Sequence, residues 1–422
     1  MGICWRPRST ATATLWTEVM RPRANGTSGP ADRHDPGADM RERGRAAGPV
    51  QRIAIIGPDW RSLVRLRGDL ISELRARGHQ VLCLSPSDRL SGSDEYARRL
   101  DSLGVECASF PLESGRLQLL ADRKSIARLA EKLADWRAHA ALAFQPKPML
   151  LGALAAQRAG VGRIVPLVAN LGPELGALDG PDWRWRRLAR AAFAASDVIV
   201  FHNHADPGRL RALGLLPRHA GVRVVPGAGV DLDHHAAQPL PRTDRELTFL
   251  MLAAREREKG VTAFCAAARQ IRAWWPAGRF ILAGPDGTGA GAISKGELND
   301  CSGGAVELRG DHDDVRPLFA EAHVVVLPSV REGMSRVLIE ALANARPIIT
   351  TDVPGCQETV DDGVNGILVR PQDADQLAVA MRHLMGHRHL LPPMARASRL
   401  KAERLFDVRY VNAALMAAMG LA

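Results

Sequence analysis

Residues 331–340 read Arg331-Glu332-Gly333-Met334-Ser335-Arg336-Val337-Leu338-Ile339-Glu340, with two carboxylates eight positions apart. Ahead of them lie an apolar run, Ala322 to Leu327, with the composition of a buried strand, and then Pro328-Ser329 as a turn. Ser335 is a suitable first cap for a helix. The opening turn of a helix leaves backbone N–H groups unpaired and carries the positive end of a dipole, which suits a phosphate. Gly333, Met334 and Ser335 are placed to offer such N–H groups, the glycine permitting close approach. Glu332 in the loop and Glu340 in the helix flank this anion site. A lone pair of glutamates at this spacing more often marks solvated charges at a helix start. With cations in register, the pattern suits a ligand bearing hydroxyls around a diphosphate, as a nucleotide sugar does.

The cations stand upstream. Arg255 offers a fixed fork of donors and Lys259 a compact ammonium, and together they can neutralise a diphosphate and stabilise the charge that departs with it. That is the work of a metal ion in other sites, so no metal is expected. Asp231-Leu232-Asp233 has the letters of a metal motif but reads as a turn before a linker. His383, His387 and His389 lack a carboxylate or cysteine in step and read as surface residues. On the opposite side of the chain's chemistry, Arg67 and Lys147 are candidate contacts for an anionic acceptor.

Positioning these groups requires two series of alternating elements. Arg52 to Gly57 is a short apolar strand, Ser62 to Arg77 has helical periodicity, and Val81 to Leu84 is a second strand. Strands follow at Ala140–Phe144, Ile164–Val168 and Asp197–Phe201, with helices at Lys124–Arg137 and Met149–Ala159. Polar, proline-bearing sequence from His234 to Glu246 predicts a linker. A second series then runs through Thr248–Leu252, a helix at Val261–Trp274, and strands at Phe280–Ala283, Ala322–Leu327, Pro347–Thr350 and Gly366–Val369. The fold expected is α/β, two doubly wound Rossmann-like domains facing a cleft. The boundaries are 1–50 for a disordered extension, 51–235 for an acceptor-binding domain, 236–246 for the linker, 247–392 for a nucleotide-sugar-binding domain, and 393–422 for C-terminal helices returning to the first domain.

The 422 residues carry a net charge of +10, unevenly spread. Residues 51–235 hold 26 Lys and Arg against 19 Asp and Glu, while residues 236–422 hold 22 of each. Either the first half is simply a solvated basic surface or it meets anionic lipid or a diphosphate-bearing acceptor. Trp183-Arg184-Trp185-Arg186-Arg187-Leu188-Ala189-Arg190 mixes aromatics and arginines as a helix in a headgroup region does, although packing of the two rings would leave the same letters. No apolar run approaches the roughly eighteen residues a spanning helix needs, and six scattered cysteines without a C-x-x-C pair suggest neither zinc nor disulfides. A cytoplasmic location, peripheral on the inner face of the membrane, is expected.

These motifs together resemble the retaining GT-B glycosyltransferases of family 4. Glu332 and Glu340 stand at that family's E-x7-E spacing, and Arg255 with Lys259-Gly260 where it places its diphosphate-binding pair. Pro354-Gly355, Glu358 and Asp362-Gly363-Val364-Asn365-Gly366 resemble the segment after the glutamates. The first half matches more loosely, through Arg67-Gly68, Gln145-Pro146-Lys147-Pro148 and Val225 to Asp231. The likeness covers roughly residues 52–410. It is nearest to bacterial enzymes that add an N-acetylhexosamine to a sugar on undecaprenyl diphosphate. The resemblance implies a UDP-sugar donor, Glu340 on its ribose, Glu332 on its sugar, Arg255 and Lys259 on its diphosphate, and a leaving phosphate that helps deprotonate the acceptor. It also implies a lipid-diphosphate-linked acceptor for cell-surface polysaccharide synthesis. A soluble acceptor, or a catalytically weak nucleotide-sugar-binding subunit, would fit the same motifs. Three departures bear on this: Arg255 and Lys259 are one residue closer than in relatives, Asn344-Ala345 replaces Met-Gly, and Asn170-Leu171-Gly172 replaces Gly-Leu-Gly.

Overall fold

The computed structural model describes residues 49–86, 94–113, 117–171, 183–244, 246–275, 278–288 and 291–421. The extension expected over residues 1–50 lies outside them, Pro49 and Val50 apart. Two all-parallel sheets make up the rest. The first holds β1 (Arg52–Ile56), β2 (Gln80–Ser85), β3 (Glu106–Ser109), β4 (Ala140–Phe144), β5 (Arg163–Val168), β6 (Val198–Phe201) and β7 (Gly221–Val224), in the order β3-β2-β1-β4-β5-β6-β7. The second holds β8 (Leu247–Leu252), β9 (Gly278–Ala283), β10 (Val306–Arg309), β11 (Val324–Leu327), β12 (Ile348–Thr351) and β13 (Gly366–Val369), in the order β10-β9-β8-β11-β12-β13.

The unbroken apolar runs follow from burial on both faces. In β1, Ile53 and Ile55 enter one core with Trp60, Leu63 and Leu70 of the helix Trp60–Ala76. Ala54 and Ile56, pointing the other way, join Leu129, Leu133 and Met149 in a second core. Ile53 pairs with Val81 on one side and with Ala140 on the other, so β1 lies at the point where the winding reverses. Such a reversal opens a crevice at the carboxyl ends of the strands. In the second sheet β8 occupies the same place, between β9 and β11.

Every interior strand is one the sequence announces, and the three it does not announce, β3, β7 and β10, all lie at sheet edges. They are four residues long and only partly buried, so they carry no apolar run to read. The linker is held against the second half by Arg346. This fully buried guanidinium donates to the carbonyls of Phe319 at 2.7 Å, Gln238 at 2.8 Å and Pro239 at 3.0 Å. Burial lowers its pKa to about 10.

The return to the first half comes late. Leu391 and Met394 of the helix Leu391–Lys401 belong to the second half's core, so that helix stays there. The crossing is made where Val230 N–H donates to the Phe406 carbonyl at 2.8 Å and Val408 N–H to the Val230 carbonyl at 3.0 Å. Beyond it, the helix Val408–Ala418 puts Val411, Leu415 and Met416 into the first half's core. In the aromatic and basic segment the two rings part company: Trp185 is buried, whereas Trp183 is exposed.

Candidate active site

Ser335 caps the helix Arg336–Ala343, its hydroxyl accepting the Leu338 N–H at 3.4 Å, so the loop-to-helix junction lies where the spacing predicts. Its own N–H, however, donates to the Gly355 carbonyl at 3.1 Å and has none to spare for a phosphate. Among the described residues no backbone acceptor takes the N–H of Gly333 or of Met334. These two remain placed for an anion.

Gly333 has a second reason to be glycine. A Cβ there would lie far inside contact distance of the Ala169 carbonyl and close to Asn170, both in the first half. The Gly333 carbonyl accepts from Asn203 Nδ2 at 3.0 Å. Met334 packs on Gly227 in the same seam. The E-x7-E loop is therefore where the two halves meet, and Asn170, in the altered Asn-Leu-Gly stretch, faces it.

Each of the four charged groups of the second half has an ion-pair partner, Lys259 and Glu332 being partners of each other. Lys259 Nζ is 2.8 Å from Glu332 Oε1, which also accepts from Ser329 Oγ at 2.9 Å. Burial opposes the ammonium's charge, but contact with Glu332 outweighs it and holds the Lys259 pKa above its ordinary value. The shortened spacing does not prevent this. A tight turn over Arg257–Lys259 ends at Gly260 with φ +76°, and any Cβ at Gly260 would collide with the Pro328 carbonyl. Val330 N–H reaches the Glu258 carbonyl at 2.8 Å, fastening that turn to the end of β11.

Arg255 is buried just past β8 and pairs with the exposed carboxylate of Asp286. Its Nε is buried with no partner. Gly287 lets the loop carrying Asp286 lie directly on the Arg255 carbonyl. Glu340 is buried and accepts from Arg336 Nε at 2.6 Å, with His235 Nε2 at 3.9 Å. His235 is held below its ordinary pKa, chiefly by burial, with Glu340 opposing. Arg336, Asp286 and His235 were not singled out by sequence; the i, i+4 spacing of Arg336 and Glu340 was the available signal.

Across the seam, Arg67 lies on the helix Trp60–Ala76 at the carboxyl edge of the first sheet. It is buried, with its guanidinium carbon 5.4 Å from the centroid of the Phe144 ring and Nη2 3.4 Å from His202 Nε2. Lys147 is otherwise engaged. Its ammonium is 2.9 Å from Asp122 Oδ1 and donates to the Glu113 carbonyl at 2.7 Å, all within the first half. A buried ion pair of this kind holds Lys147 to Asp122 within its own domain, whereas Arg67 has no such carboxylate partner among the described residues. Asp231 Oδ1 accepts from the N–H groups of Asp233 and His234, which makes that Asp-Leu-Asp stretch a turn.

Two family models match the chain: "Glycosyl transferases group 1" over residues 246–387 and "Glycosyl transferase 4-like domain" over residues 64–228. The chain is a GT-B glycosyltransferase of family 4. The transferase is 24% identical to N,N'-diacetylbacillosaminyl-diphospho-undecaprenol alpha-1,3-N-acetylgalactosaminyltransferase of Campylobacter jejuni, over 78% of this chain and 87% of that protein. It is 29% identical to D-inositol 3-phosphate glycosyltransferase of Geodermatophilus obscurus, over 54% of this chain and 55% of that one. Among solved structures, sucrose-phosphate synthase of Thermosynechococcus elongatus superposes with a TM-score of 0.69 at 20% identity, covering 86% of this chain and 97% of that one. Anabaena HepE in complex with UDP gives 0.69 at 16% identity, covering 88% and 100%. These likenesses establish the GT-B fold. Among the described residues no helix of the transferase is long and apolar enough to cross a membrane.

Proposed function

We propose that this glycosyltransferase moves an N-acetylhexosamine, with retention, from a UDP-sugar to a saccharide carried on a lipid diphosphate, in the synthesis of a bacterial cell-surface polysaccharide. The observation that carries the reading is the paired set at the seam: Glu332 held by Lys259, Glu340 held by Arg336, and the buried Arg255 with an unbonded Nε between the elements that bear them. A donor would replace these internal partners. Its ribose hydroxyls donate to Glu340, its sugar hydroxyls to Glu332, and its diphosphate accepts from Arg255, Lys259 and the N–H groups of Gly333 and Met334. The bond from the anomeric carbon to the diphosphate oxygen breaks as the acceptor hydroxyl adds on the same face, and the hydroxyl proton passes to the leaving phosphate. The two cations stabilise that departing charge, so no metal ion is required.

The Campylobacter relative, whose name gives an undecaprenol diphosphate acceptor and an N-acetylgalactosaminyl group, supports the sugar and acceptor. The UDP and UDP-glucose bound to HepE support the nucleotide. A peripheral site on the inner face of the cytoplasmic membrane is supported by the basic surplus of the first half and by its exposed Leu119, Leu120 and Trp183. A thermal-shift series against UDP-, GDP- and ADP-sugars tests the donor: UDP-N-acetylhexosamines are expected to stabilise most, and a larger shift with GDP- or ADP-sugars would refute the nucleotide. In Glu340→Ala, UDP affinity by calorimetry is expected to fall about tenfold or more, the loss of charge-assisted hydrogen bonds. Turnover is expected to survive EDTA.

A further inference from the structure

Arg67 is a buried cation with nothing to neutralise it. Its residue is 2% exposed, its Nε is buried without a hydrogen-bond partner, and its Nη2 meets a histidine nitrogen instead of an oxygen. Among the described residues no carboxylate lies within ion-pair distance of it. Its surroundings make matters worse for the charge. Burial, and then the positive charge of Arg336 reaching it across the seam, lower its pKa to about 10. His202 cannot help as an anion would, since burial and Arg67 keep its imidazole neutral, with a pKa well below the ordinary value. The carboxylate that does act on this region, Asp69, bears on Arg336, as do Glu340 and His235. A buried unpaired charge is strongly destabilising and persists where it has a use.

We infer that Arg67 from the first half and the terminal nitrogens of Arg336 from the second, brought together where Asn203 beside His202 bonds the Gly333 carbonyl, form a two-sided site for a phosphate or diphosphate group, which supplies the counter-charge Arg67 lacks. The remaining donors fit that ligand: the Arg67 fork on one side, the terminal nitrogens of Arg336 on the other, and His202 Nε2 when its ring carries the proton there. The consequence is a link between substrates. Arg336 already holds Glu340 through Nε, so an anion drawn to its terminal nitrogens orders the carboxylate assigned to the donor ribose. The inference rests on the transferase reading for the identity of that second ligand. It rests on it also for naming the anion as the phosphate-bearing part of the acceptor, but not for the anion site itself, which is separate from the pair Arg255 and Lys259.

The probe is inorganic pyrophosphate, with unfolding temperature and calorimetry as readouts on the full chain. Wild type is expected to be stabilised. Arg67→Met is expected to melt a few degrees higher than wild type without ligand, because an uncompensated buried charge is gone, and to bind pyrophosphate about tenfold or more weakly. A merely structural arginine would show the reverse, a fall in melting temperature with the pyrophosphate response intact, and that result overturns the inference. Arg336→Gln, at a side chain 39% exposed and so tolerant of change, is expected to lose the response as well; it decides the matter should Arg67→Met not fold. Lys259→Met separates the two anion sites. If it abolishes the response while both arginine variants keep it, pyrophosphate binds only at the donor diphosphate site and the inference fails, with the donor reading left standing. If instead no variant or wild type responds to UDP while the arginine dependence on pyrophosphate holds, the donor reading fails and the anion site stands.

Discussion

Glu332 governs the charge state of its neighbour as well as any sugar it holds. Burial works against the Lys259 ammonium and the carboxylate in contact with it more than compensates, so the folded pKa lies above the ordinary lysine value. Removing that carboxylate leaves burial opposed only by the weaker effects of Cys356 and Glu256. In Glu332→Gln the ammonium is therefore expected to lose its proton at lower pH than in wild type, and the alkaline limb of the kcat/KM profile to move downward in pH. A limb that stays in place would remove Lys259 from the charge-stabilising role. Gly333 is limited by space, since its φ is not in the left-handed region and the obstruction is the Ala169 carbonyl. Gly333→Ala is expected to push the halves apart and to lower kcat/KM by roughly tenfold or more, a loss typical of a small displacement in a catalytic seam. Steady-state kinetics would show it.

The helix that bears Glu340 ends in a way its sequence disguises. Arg346 N–H donates to the Ala341 carbonyl at 2.9 Å and Ala345 N–H to the Leu342 carbonyl at 3.0 Å, the double bond pattern that usually closes on a left-handed glycine. Here the left-handed residue is Ala345, at φ +56°. An alanine in that conformation costs about 1 kcal/mol relative to glycine. Ala345→Gly is expected to raise the unfolding temperature slightly in a calorimetric scan; a lower temperature would mean that the buried methyl group outweighs the strain. The neighbouring substitution has a clearer use. Asn344 Nδ2 donates to the Glu340 carbonyl at 2.8 Å and lies 3.0 Å from His235 Nδ1, so it joins the helix end to the start of the linker.

At the scale of the whole molecule, two contacts among the described residues bear on how the halves close, besides the crossing at Val230 and the returning helix. One is the seam around Gly333. The other is a pair of ion pairs from one helix face, Arg61 to Asp311 at 2.7 Å and Arg65 to Asp313 at 2.8 Å, the aspartates coming from the loop after β10. These side chains are partly exposed, so each pair contributes roughly 0–1 kcal/mol and is screened by salt. They bias the closed arrangement without locking it. The double variant Arg61→Ser with Arg65→Ser is expected to increase the radius of gyration in small-angle scattering. Added salt is expected to do the same to wild type but to have little effect on the variant. Equal radii for the two proteins at low salt would show that the seam alone sets closure.

The sequence by itself determined the α/β class, the nine interior strands and the edge strand β13, and it singled out Arg255, Lys259, Glu332 and Glu340 as candidates, because periodicity and short spacing are local properties. β3, β7 and β10 escaped it because an edge strand is defined by the neighbour on its one paired side, and that neighbour is distant in the chain. The tertiary structure alone decided which charges are free. Lys147 and Arg67 look alike as basic residues on helices of the first half, yet one is closed off by Asp122 and the other is buried against Phe144 and His202 with no carboxylate in ion-pair distance among the described residues. It also decided why position 333 is glycine and that Ser335 spends its N–H on Gly355. Partners of this kind come from segments tens to hundreds of residues away, and no local pattern encodes the distance between them.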